Sequence, residues 1–534
     1  MTEHGPRRGR PMRLPTDGTA MRGMHTDSAP RISWLVATTR LYADDPAVHR
    51  RDVFAGALGA HGIRADQTRI SRWESGSAHV PDKVIAGYDG ALGFEPGHLL
   101  TVATGIRRAL DPRAPAGTAA YPGIPEGGVE ALLNRFREHG HTGLDWTRLT
   151  AAVDTAAGID LPQQAWFDLC DQLLRELVRS TRFSWVRRYE AARALIRNPG
   201  SQRAMVRAIG ALVTDPGAQA IEPVVGLLQE VVDPQVSDVL MRMLASPQGM
   251  LRRGAAWASA GRIARGYLDE DALDALTERL PRMLVRRDPL SLRADAVDLV
   301  SALPPERADM LIAPLNGNGP VSDLGDQVGW GELIAPDRSR RLADGIARVV
   351  EAALDADHHV ESDQMLARLV RESLLHVHRE RRHHASLLLS VSPYATELSR
   401  HLLAGLAGQE NAVVARGLSL LAYLGAHEDS RGQLLTWSAH HPDLWLRRRA
   451  VIALAHLPGP LGAEVEHDLA NLALTGPTRM RAAAMYALGR VGSRELERVC
   501  ASGDPQEQET AAWWMRLGPP IDDEATHARA LERS

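Results

Sequence analysis

The stretch "PDLWLRRRAVIALAHL", residues 442–457, carries two patterns at once. A proline is followed within a few residues by apolar-Arg-x-x-Ala, here "LRRRA" (446–450) after Pro442, and the helix then runs on to "ALAHL" (453–457). Both patterns recur. The first returns as "LRRGA" (251–255) after Pro247, "LRADA" (292–296) after Pro289 and "MRAAA" (480–484) after Pro477. The second returns as "LLLSV" (387–391), "LLAYL" (420–424) and "ALGRV" (487–491), at intervals of 33, 33 and 34 residues. Proline suits the first turn of a helix and no later one, so each proline marks a start. A fixed period of this length, with one helix pair per unit, predicts an α-solenoid in which each pair buries its apolar stripe against the next.

Working outward, nearly everything from about Val129 reads as Leu- and Ala-rich helix broken by Pro and Gly, with no convincing strand. The repeats resemble HEAT repeats, whose second helix opens on a Val-Arg-x-x-Ala motif. The resemblance is good over 240–300 and 385–518 and weak over 130–235. It lapses at "LNGNGPVSDLGDQVGWGELIAPD", which reads as an irregular insertion near 304–340. In such arrays the motif arginine pairs with acids or carbonyls of its neighbours. The resemblance implies that role for Arg252, Arg293, Arg447 and Arg481, with Asp288 and Asp443 just upstream, ahead of a phosphate-binding groove.

Composition narrows the rest. The 534 residues carry 62 Lys and Arg against 66 Asp and Glu, a formal charge of −4, so any nucleic-acid contact has to come from a local patch. Lys83 is the only lysine, a bias that fits a GC-rich genome. Cys170 and Cys500 form no disulfide or zinc pattern, which fits a reducing cytoplasm. No apolar run approaches a membrane span, and the start lacks a signal-peptide core. The first thirty residues, rich in Pro, Gly and Arg, read as a disordered tail in which Met12, Met21 and Met24 offer alternative starts. A Pro- and Gly-dense linker is expected over 111–128, the solenoid over 129–518 and a C-terminal tail over 519–534.

Residues 31–110 form a separate all-α module of five short helices. Asp66 is an N-cap for the third, which stops at Ser75-Gly76, and Pro81 opens the fourth, whose stripe is Val84, Ile85, Tyr88 and Leu92. On the third helix Ile70 and Trp73 share one face, while Thr68 and Arg72 project from the other, flanked by Gln67 and Arg69. Those outward side chains suit a major groove: Gln pairs with adenine, Arg with guanine, and the Thr methyl meets that of thymine.

"ISRWESG" (70–76) followed by "VPDKVIAGYDGALGFEPGHLL" resembles the helix-turn-helix of the Cro/repressor (XRE) family, over roughly residues 31–100. The resemblance implies a DNA-reading third helix with Gln67, Thr68, Arg69 and Arg72 toward the bases. It further implies a phosphate contact from Arg51 and a structural pair between Arg40 and Glu74. The loop "GAHGIRAD" is longer than the family's tight turn. Ten basic and eight acidic side chains over 31–110 give only a weak surplus, so two copies on a palindromic site are expected.

The remaining clusters point elsewhere. "ADHHVES" and "HVHRERRHH" lack the close pairs and third ligand of a zinc site and read as a solvated, Arg-rich helix face. Trp437, Trp445, Trp513 and Trp514 read mostly as core, with an exposed subset available to a partner. No nucleophile, carboxylate pair, metal set or cofactor motif is evident, so neither catalytic nor metal-binding residues are assigned and a non-enzyme is expected.

The sequence therefore leads to an all-α fold, a small helix-turn-helix module followed by a HEAT-like α-solenoid. The function expected is a cytoplasmic, nucleoid-associated bacterial transcription regulator that binds double-stranded DNA. Because solenoids present long concave surfaces rather than deep pockets, a protein or peptide partner is expected on the repeats. The alternatives are an interaction scaffold whose helix-turn-helix does not read bases, and a HEAT-like DNA-repair enzyme.

Overall fold

A computed structural model of the chain describes residues 13–110, 128–153, 159–285, 290–314, 323–354 and 362–523. All of its regular structure is helical, and among these residues only two isolated β-bridges occur. The head comprises α1 (Ser28–Leu41), α2 (Arg51–Ala60), α3 (Gln67–Glu74), α4 (Asp82–Ala91) and α5 (His98–Leu110). Asp66 caps α3 by accepting from the Arg69 amide at 2.7 Å. Gly76 ends the turn after it in the left-handed region (φ +74°), where a side chain would be strained. Ile70 and Trp73 are buried under α1 and α2, and Phe54 packs edge-on against Tyr88 at 4.7 Å. The long 61–66 loop is pinned by Ile63, which tucks beside Leu58 and Gly87.

The repeats stack as two layers of helices. The inner layer runs through Arg379–Ser390, Asn411–Leu424, Leu444–Leu454, Thr478–Val491 and Pro505–Leu517, each packed on the next. The four recurring apolar pentads lie at or just past the ends of the first four of these helices. The motif arginines do bond to their neighbours: Arg252 to the Ser246 carbonyl (3.2 Å), Arg447 to that of Ser438 (3.2 Å), Arg293 to Asp323, and Arg481 to Asp504 and Glu507 (3.0 and 3.1 Å). Asp443 instead caps its helix at the Trp445 and Leu446 amides, while Asp288 lies outside the described residues. Trp513 and Trp514 are core, and Trp437 and Trp445 are partly buried. Three helices, Pro305–Ile312, Leu324–Trp330 and Pro336–Ala353, occupy the span read as an irregular insertion.

The array curls back on itself. Its last helix packs against Gln163–Arg179, the Ile521 backbone pairs with Arg179 and Thr181, and the Trp514 indole donates to Gln219 at 2.9 Å. The start of the expected C-terminal tail is thus part of the closure.

Two further expectations are corrected. Of the tail read as disordered, residues 1–12 lie outside the described residues, but 13–27 run against the solenoid and α1 begins at Ser28. Leu14 and Asp17 are buried, and Arg381 holds the carbonyls of Ala20 (2.8 Å) and Gly23 (3.0 Å). Composition suggested disorder because this segment has little apolar surface; backbone carbonyls meeting buried arginines supply what apolar burial does not. The Arg- and His-rich helix Arg379–Ser390 is not a solvated face: His376, His378, His383 and His384 are all buried. Two of their ring nitrogens meet groups distant in sequence, the Met21 carbonyl on His376 and the Tyr423 hydroxyl on His383 (3.0 Å).

Candidate functional site

The head is docked rather than loosely hung. Every residue of α1 from Arg31 to Leu41 is buried, because α1 has the head's core on one side and the solenoid on the other. Arg31 donates to Asp17 (2.7 Å) and to both oxygens of Glu372 (2.7 and 2.8 Å), with all three side chains sealed from solvent. Glu372 also accepts from Arg381 (2.8 Å) and Arg368 (3.0 Å). Burial opposes ionisation of Glu372, yet these guanidiniums outweigh it and hold the carboxyl at about 2. Trp34 donates to Asp363 (2.7 Å) and stacks on Tyr394, while α5 reaches the helix Arg182–Arg197 through Arg108 to Glu190 (3.1 Å).

Within the head, α3 packs chiefly on α1 and α2. Gln67, Thr68, Arg69 and Arg72 are all exposed, opposite buried Ile70 and Trp73. Arg64, Arg69, Arg72 and Lys83 are exposed and make no ion pair among the described residues; Arg69 lies 5.2 Å from the Trp73 ring centre. Glu74 is fully buried and receives Arg40 through both oxygens, the Nη2–Oε2 contact being 2.8 Å. Arg51, expected toward a phosphate, donates to Glu74 at 2.9 Å and keeps 30% of its side chain exposed. Glu74 therefore serves two arginines and the Tyr88 hydroxyl (3.2 Å), fixing α1, α2, α3 and α4 together. The inner side of α3 is thus buried and ion-paired, and its outer side chains stand exposed.

A second site was missed by sequence reasoning. The curled repeats line a cavity of about 360 Å³, partly open to solvent, with walls contributed by helices from Gln163–Arg179 through Thr478–Val491. The expectation that the solenoid forms only a shallow concave surface fails, because closure of the last helix on the first repeats turns the concavity into a chamber. Successive inner helices present arginines to it: Arg253, then Arg379 and Arg382, Arg416, the Arg448–Arg449 pair, and Arg490. Only Glu222 and Asp295 oppose them at the wall. Glu222 engages Arg253 (2.7 Å) and Arg379, which outweigh burial and keep it well below the usual carboxylate range. Burial pushes Asp295 up to about 7.

The remaining arginines are poorly matched. Arg382 meets only the carbonyls of His376 (2.7 Å) and Val377, and Arg449 only the Ser419 hydroxyl at 3.3 Å and the Trp445 ring. Arg416 and Arg448 have no hydrogen-bond or ion-pair partner among the described residues. Burial, reinforced by neighbouring guanidiniums, lowers Arg382 and Arg449 to about 10, Arg448 to about 9 and Arg416 well below its ordinary value. Trp185, Tyr423, Trp445 and Tyr486 add flat surfaces, and the Trp445 indole N–H and His383 Nε2 are buried without partners. A signal existed: arginines one or two residues after the motif arginine, Arg253 after Arg252 and Arg448 and Arg449 after Arg447, line the cavity. Among the described residues no group of three or more His, Cys, Asp or Glu could hold a metal ion, and no helix is long and apolar enough to cross a membrane.

No family model matches the chain, and no curated protein does. Among solved structures it is similar to an engineered protein, at 15% identity and a TM-score of 0.19 over 73% of this chain and 98% of that one. It is also similar to a structure from work on tubulin recruitment by microtubule polymerases with tumour overexpressed gene domain arrays. That match has 11% identity and a TM-score of 0.21, over 73% of this chain and 92% of the other.

Proposed function

We propose that the chain is a sequence-specific regulator that reads double-stranded DNA with α3 and uses its solenoid as the body that carries and positions that reader. The observation that carries this reading is the two-sided character of α3. Its inner side chains, Ile70, Trp73 and Glu74, are locked by burial and ion pairs, whereas Gln67, Thr68, Arg69 and Arg72 stand exposed along its outer face. A donor or acceptor reads a base edge only if it is held still and is not already paired inside the protein. The weak positive surplus of the head makes a lone contact salt-sensitive, and two heads on a palindrome would repair this.

The test is to map bound genomic fragments, derive a site and compare Arg72→Ala with the parent in mobility shifts. Loss of a base contact should weaken specific binding by about 1–3 kcal/mol, with little change on unrelated DNA. Equal affinity of the two proteins for the derived site, or no enriched site at all, would favour the scaffold reading. Release of a base from alkylated duplex DNA would instead favour a repair enzyme.

A further inference from the structure

We infer that the arginine-lined chamber inside the solenoid is a binding site for a small polyphosphorylated molecule with a flat ring, of the nucleoside di- or triphosphate class. The site stands independently of the DNA-reading proposal, since none of its residues lies in the head.

Charge comes first. Seven arginines line the wall against two carboxylates, and Glu222 is already committed to Arg253 and Arg379. Partly buried guanidiniums that outnumber their counter-charges are costly, and a wall that only needed filling would use apolar residues at lower cost. Arg416 and Arg448 line the chamber with no hydrogen-bond or ion-pair partner among the described residues. Such a surplus fits a ligand with several negative charges, not a single carboxylate. The planar fork of each guanidinium matches phosphate oxygens in pairs.

Size and shape come next. About 360 Å³ lies within the range of small-ligand pockets and is too small for a folded partner or a nucleic-acid duplex. Closure of the last helix on Gln163–Arg179 joins the two ends of the array around this cavity, which stays partly open to solvent. The ring is called for by the third feature. Trp185, Tyr423, Trp445 and Tyr486 give flat apolar surface beside the charges, and the Trp445 N–H and His383 Nε2 are polar atoms still to be met. A bare polyphosphate would leave both unused; a heterocycle offers them acceptors and a stacking face.

The experiment uses the full-length protein at constant ionic strength, titrated calorimetrically with ATP, GTP, pyrophosphate, orthophosphate and a poly-glutamate peptide. The expected result is saturable binding of ATP or GTP below roughly millimolar concentration, pyrophosphate weaker and orthophosphate weakest. Arg416→Gln with Arg448→Gln should weaken nucleotide binding roughly tenfold or more. Its ligand-free form should melt at or above the parent's temperature, because like-charge crowding has been relieved. Arg416→Lys, which keeps the charge and loses the fork, provides a milder variant with an intermediate affinity. Arg72→Ala should leave nucleotide binding unchanged, which separates this site from the DNA-reading face. The inference is overturned if no phosphate probe binds, if only the acidic peptide binds, or if the double variant binds nucleotide as the parent does.

Discussion

Replacing Glu372 by Gln should loosen the head from the solenoid without touching either core. The carboxylate is sealed from solvent and faces Arg31, Arg368 and Arg381 at 2.7–3.0 Å, with Asp17 the other acid that Arg31 meets. Its carboxyl sits at about 2 against an ordinary 4.5, and at roughly 1.4 kcal/mol per pH unit this amounts to about 3 kcal/mol of stability at neutral pH. Breaking a buried pair from one side costs about 3–5 kcal/mol in general, so two routes to the magnitude agree. Because the folded pKa is lowered, this contribution is fully present above about pH 4.5 and is lost as pH falls toward 2. The gap between parent and variant should therefore narrow with acidification over that window. Hydrogen exchange at α1 is the assay that reports docking directly: at pH 7 its amides should exchange on the order of a hundredfold faster in Glu372→Gln. Urea denaturation of the whole chain gives the second readout. Identical α1 exchange and identical urea midpoints would refute the reasoning, because three arginines around one neutral amide would then carry no penalty.

Buried neutral histidines give a second pH dependence of the same sign. Burial is the main cause that holds His98 and His456 at about 3 and His378 and His384 at about 4. Below about pH 6.5 the unfolded chain takes up protons that the folded one refuses, so stability should fall from pH 6.5 to 4 by up to roughly 1.4 kcal/mol per unit for each histidine. His456→Gln should flatten that slope, and equal urea midpoints at pH 7.5 and 5 would contradict it. Gly489→Ala places a methyl on the Trp514 ring where the last two inner helices meet, and should cost about 1–3 kcal/mol in denaturation and lower the affinity for nucleotide. Deleting residues 1–23 removes Asp17 and the carbonyls held by Arg381, and should speed exchange at α1 while leaving α3 unchanged.

What was legible in the sequence was local. The five head helices, the Asp66 cap, the stop at Gly76 and the 33-residue period all arise from neighbours in the chain, and each has a periodic or capping signature. The Arg40–Glu74 contact, between residues 34 positions apart, was expected only because the family resemblance implies it. What was hidden depends on partners far away. Arg31 and Glu372 are separated by 341 positions, and a helix with Arg, Ser and Thr on its second face looks half-solvated until the solenoid covers it. The helix Arg379–Ser390 reads as solvated for the same reason: Glu222, Glu372 and Tyr423, which meet Arg379, Arg381 and His383, come from other elements. The chamber exists only because the array closes, and no single repeat records closure.

The same helix joins the two halves. Along Arg379–Ser390, Arg379, Arg382, His383 and Ser386 recur at helical spacing and line the chamber, while Arg381 turns to the junction, bonding Glu372 and the backbone of residues 20–23. A polyanion neutralising Arg382 and Arg416 removes repulsion on one face of a rigid rod whose other face grips the head. Because a helix in a packed core shifts as a unit, relief on the inner face reaches Arg381 without any intermediate. ATP, if it occupies the chamber, should therefore slow hydrogen exchange at Arg379–Ser390 and at α1 together, and leave α3 unaffected. Protection confined to the chamber wall would show that the junction and the cavity act separately, so that a ligand in the solenoid leaves the docking of the head unchanged.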